Sequence, residues 1–176
     1  MSSIAVRDSE VFMDLRAVLA SAVEIELIAG KIFCHFQQCF AHDREASDLF
    51  GKMSREEDEH AVVVQRQLDL IATMPEAFVV IDDTIRDRQQ VLVIRMHGIL
   101  KEVEECSHSI KKAVGICCEL EEEIEDLHEQ VIVNLTQTTG KLAFATVALE
   151  AIGLNAEHTE GLFSFARKLG VERLEC

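Results

Sequence analysis

Glu57 and His60 stand three residues apart in Met53-Ser-Arg-Glu-Glu-Asp-Glu-His60. On a helix that spacing stacks a carboxylate and an imidazole on one face, about one turn apart. Apolar residues recur around them at Ala46, Leu49, Phe50, Met53, Val64, Leu68 and Ile71, so the pair falls inside the stripe predicted to be buried. Acids and imidazoles seldom point into a core without a partner, because an uncompensated charge there costs several kcal/mol or changes its protonation. A metal ion is one such partner. Whether it would have a full ligand shell depends on which other acids and imidazoles of the chain face inward.

The first helix is predicted to start at Asp8 or Ser9, either of which can cap it, and to run to about Phe40. Its apolar positions are Phe12, Leu15, Leu19, Ala22, Ala29, Phe33, Phe36 and Phe40, and Glu26 fills the gap between Ala22 and Ala29. Glu24 projects to the other side with Met13, Ala20 and Lys31. The turn Ala41-His42-Asp43 offers Asp43 as the cap of a second helix that ends near Met74-Pro75. So short a connection makes the two helices antiparallel neighbours. Glu26 lies about as far before the turn as Glu57 and His60 lie after it, which puts the three at one level.

Glu76 to Thr84 reads as an extended crossing with a capped end, and a helical pattern resumes from Ile85 through Leu92, Met96, Ile99, Val103, Cys106 and Ile110. That pattern predicts a crossover helix, with Gly98 and Gly115 as the two candidate breaks. From Lys111 to Gln137 the stripe is Ala113, Cys117, Leu120, Ile124, Leu127, Val131 and Leu135. Of the acids there, Glu122, Glu123, Asp126 and Glu129 read as a solvated face, whereas Glu121 and His128 border the stripe on one side. Beyond the turn at Thr138–Lys141, a last helix carries Phe144, Val147, Ala148, Ala151, Leu162, Phe165 and Leu169 and stops at Gly170. His158 lies in the middle of its stripe, with Asn155 one turn earlier. The halves echo each other: Glu26 matches Glu121, and Glu57-x-x-His60 matches Asn155-x-x-His158.

The chain has 176 residues, one Pro, no Trp and no Tyr, and is 48% hydrophobic, which predicts one all-α domain. A net charge of −15 argues against nucleic acid, whose phosphates it would repel, and is compatible with gathering cations. The first residues lack a signal-peptide apolar core and no apolar run approaches a membrane span, so a cytoplasmic protein is the expectation. The six cysteines include no Cys-x-x-Cys pair, which leaves no zinc ribbon or rubredoxin-type iron site to read. They read as small packing residues in a reducing compartment.

Packing the two hairpins face to face would bring Glu26, Glu57, His60, Glu121 and His158 to mid-bundle, the arrangement of a carboxylate-bridged dimetal site. Carboxylates neutralise the cations, imidazole supplies a softer ligand that iron accepts, and open positions admit oxygen or peroxide. At Glu26-Leu-Ile-Ala-Gly-Lys-Ile-Phe33 and Glu57-Asp-Glu-His60-Ala61 the chain resembles the ferritin-like superfamily, specifically its rubrerythrin-like branch. The resemblance covers most of the chain and is clear in the first half. It implies a four-helix bundle of two antiparallel hairpins with an extra crossover helix. It also implies two iron ions, or another divalent metal such as Mn or Zn, or only one occupied position.

The activity implied is oxidation of Fe(II), or reduction of peroxide or oxygen, of peroxidase or ferroxidase type, with an electron donor that the sequence does not name. Glu57 would bridge, Glu26 and Glu121 would ligate, and His60 and His158 would each bind one metal. The departures are specific. Asn155 stands where the family has the Glu of its second Glu-x-x-His, and the four-Cys electron-transfer module is missing. His128 is a candidate compensating ligand, about 10 Å along the helix from Glu121. A second ligand set stays open, in which Glu102 or Glu105 joins Glu125 and His128. Two competing classes also stand: a non-catalytic bundle with one metal serving binding, sensing or assembly, and an interaction module whose buried polar groups pair with each other. A homodimer is compatible with all three.

Overall fold

The computed structural model describes residues 13–73, 78–79, 83–105, 108–139 and 156–171. Five helices account for nearly all of these: α1 (Leu15–Cys39), α2 (Arg44–Ala72), α3 (Asp83–Glu105), α4 (Ile110–Thr139) and α5 (Ala156–Lys168). α1 is the central element. It packs along α2 and α3 and also meets α4, while α4 packs on α3 and α5, and α5 touches α2. Two neighbours explain why α1 is buried on an unusually broad face, with Leu19, Ala22, Ile25, Ile28, Ala29, Ile32, Phe33 and Phe36 all in the core. No helix among the described residues is long and apolar enough to cross a membrane.

The turn joining α1 and α2 is anchored as the sequence predicts. Asp43 Oδ1 accepts the Ala46 backbone N–H at 3.1 Å, satisfying one of the free donors at the start of α2. Phe36, Phe40 and Phe50 cluster behind it with ring centroids 5.5–6.2 Å apart, which fixes the closed end of the hairpin. At the other extreme, α5 stops at Gly170 in the left-handed conformation (φ 64°). There the Val171 N–H reaches Ala166 O and the Gly170 N–H reaches Arg167 O, a Schellman cap.

Two local expectations change. Met13–Asp14, predicted to be helical, form a two-residue strand β1 that pairs antiparallel with β2 (Phe78–Val79). The pairing satisfies backbone groups of both segments and ties the start of α1 to the crossing before α3. The break between α3 and α4 falls at neither Gly98 nor Gly115 but after Glu105, because Ser109 caps a new helix, its Oγ accepting the Lys112 N–H at 3.3 Å. An exposed mid-helix glycine costs about 1 kcal/mol, too little to end a helix whose flanking turns are packed. Residues 140–155, where the last helix is predicted to begin, lie outside the described residues, as do Asp8 and Ser9.

Candidate metal centre

Glu26 lies on α1, and Glu57 and His60 on α2. Both carboxylates are only 2% exposed. What lets them meet is a close approach of the two backbones beside them. A Cβ on Gly30 would stand 3.3 Å from Glu57 Cβ and 3.4 Å from the Ser54 carbonyl oxygen. Across the same point, the Ser54 hydroxyl donates to Gly30 O at 2.9 Å. Gly30 is one turn after Glu26 and Ser54 one turn before Glu57, so this clasp sets the level at which the acids face each other.

One donor atom from each of Glu26, Glu57 and His60 lies within 4.8 Å of the other two. His60 Nδ1 is 3.4 Å from Glu57 Oε2 and 3.6 Å from Glu26 Oε2. On the far side of Glu26, its Oε1 is 3.4 Å from Nε2 of His128, which α4 contributes. Charge-assisted hydrogen bonds between such groups run about 2.7–2.9 Å. Donors arranged tetrahedrally around an ion at about 2.1 Å are instead about 3.4 Å from one another. The group could therefore hold a shared cation as well as pair directly.

Burial and mutual pairing shift the proton affinities of the cluster. Burial lifts the Glu57 carboxyl to about 7; His60 opposes that rise and Glu26 adds to it. Burial would push the His60 imidazole down, but the carboxylates of Glu26 and Glu57 outweigh it and raise it to about 10. His128 is lowered to about 4, chiefly by burial, against the pull of Glu57. At neutral pH, protons on His60 and in part on Glu57 hold the cluster together, while His128 presents a neutral nitrogen of the kind metals bind. Divalent cations could replace those protons.

The remaining candidates fall out differently. Glu121 is buried on α4, about two turns before His128, and is not a member of the group formed by Glu26, Glu57 and His60. Burial pushes the neighbouring Cys117 thiol well up, with the charges of Glu121 and Cys118 adding to the shift, so this thiol stays neutral. Glu125 is exposed. Glu102 is also exposed and bonds Lys112 Nζ at 2.9 Å, which takes it out of the second ligand set. Asn155 lies outside the described residues, as do the side chains of Glu105 and His158.

Sequence reasoning missed the Gly30–Ser54 clasp. The available signal was a pair of small residues flanking the acids at facing positions of the hairpin. A groove of about 290 Å³ between α3 and α4, lined by Arg88, Val91, Leu92 and Leu127 among others, includes no member of the cluster. Comparison with protein-family models, with curated proteins and with solved structures finds no match.

Proposed function

We propose that this is a ferritin-like dimetal protein of the rubrerythrin-like kind, in which Glu26, Glu57, His60 and His128 hold two divalent cations, iron foremost. Its reaction is oxidation of Fe(II) coupled to reduction of peroxide or oxygen. The observation that carries this reading is the position of Glu26, whose two oxygens face different imidazoles, Oε2 towards His60 and Oε1 towards His128. A carboxylate so placed can serve two cations at once, each with its own imidazole. On this reading Glu26 would hold both cations, the role that the sequence resemblance gives to Glu57.

When bound, two Fe(II) ions would supply the two electrons needed to reduce peroxide to two waters, with uptake of two protons. The chain does the rest. Glu26 and Glu57 would offset the positive charge, and the apolar walls of α1 and α2 keep bulk water away. His60 Nδ1 and Glu57 are the groups that hold protons near neutral pH and release them to cations.

A second reading is a single-cation site for binding or sensing. It draws on the same geometry, since among the described residues Glu26, Glu57 and His60 are the ones that share a ligand-distance group. Iron content and peroxide reactivity separate the two. Anaerobically loaded protein should hold two Fe(II) per chain and develop a near-ultraviolet charge-transfer band on adding peroxide. One ion per chain without that band selects the single-cation reading. Equal metal content in the wild type and in Glu57→Ala would remove both.

A further inference from the structure

We draw no further inference here: the strongest candidate, the exposed thiol–imidazole pair at the end of α1, where Cys39 Sγ lies 3.2 Å from His35 Nε2, rests on that one hydrogen bond, and no third ligating side chain joins it at ligand distance among the described residues.

Discussion

In the α1–α2 hairpin and in α4, the same residue types turn inward by the same periodicity, with different results. Glu26, Glu57 and His60 come from two helices and converge on one point. Glu121 and His128 come from one helix and are about 10 Å apart along it; His128 lies 3.4 Å from Glu26, and neither belongs to the ligand-distance group. Facing inward is a property of a single helix and its 3.6-residue repeat. Convergence is a property of a helix pair, and here it depends on how closely the backbones approach at Gly30 and Ser54.

The strongest way to break this contrast is to remove a carboxylate of the hairpin cluster. Glu57→Ala should weaken metal binding by about a hundredfold or more, more than loss of a merely supporting partner would. It should lower the melting temperature of the metal-loaded protein far more than that of the chelated protein, because holo stability includes binding energy. Calorimetric titration and melts with and without chelator measure both effects. His128→Ala removes the imidazole that α4 brings to within 3.4 Å of Glu26. On the proposed two-ion reading it should cost about tenfold in affinity for one ion and leave the other bound, a change visible as iron stoichiometry.

The close approach can be tested without touching a ligand. Gly30→Val places branched atoms against Glu57 Cβ and the Ser54 carbonyl, neither of which can swing aside. Overpacking of that kind should destabilise the chain by about 1–3 kcal/mol and weaken metal binding with every ligand still present. Urea unfolding and a metal titration of the same variant report the two losses, and unchanged metal affinity would detach the clasp from the centre.

Smallest, and most diagnostic, is the pH dependence. His60 is raised to about 10 in the folded chain, so its contribution to stability is fully present below about 6.5 and lost as pH rises towards 10. Glu57 is raised to about 7, so the folded state keeps a proton that the unfolded chain releases, and stability falls as pH rises from about 4.5 to 7. His128 is lowered to about 4 and acts oppositely, adding stability as pH rises from about 4 to 6.5. Above about 6.5 only the downward contributions remain. The metal-free protein should therefore melt at progressively lower temperature from about pH 6.5 to 10, and His60→Gln should flatten that slope. Metal affinity should rise over the same range, with proton release detected by titration in buffers of different ionisation enthalpy.

The helical class, the α1–α2 turn capped by Asp43, the stop at Gly170 and the inward direction of Glu26, Glu57 and Glu121 were legible from residue order alone. Each follows from local periodicity and capping, which depend on neighbours within a few positions. Three features were not legible: the strand at Met13–Asp14, the clasp at Gly30, and the choice of His128 over Glu121 as the neighbour of Glu26. A strand pair needs a partner from elsewhere in the chain, a clasp needs two helices at a set separation, and a ligand needs its helix at the right height. Those quantities are decided by how α1, α2 and α4 pack, because a helical repeat specifies which way a side chain points but not how far away the next helix lies.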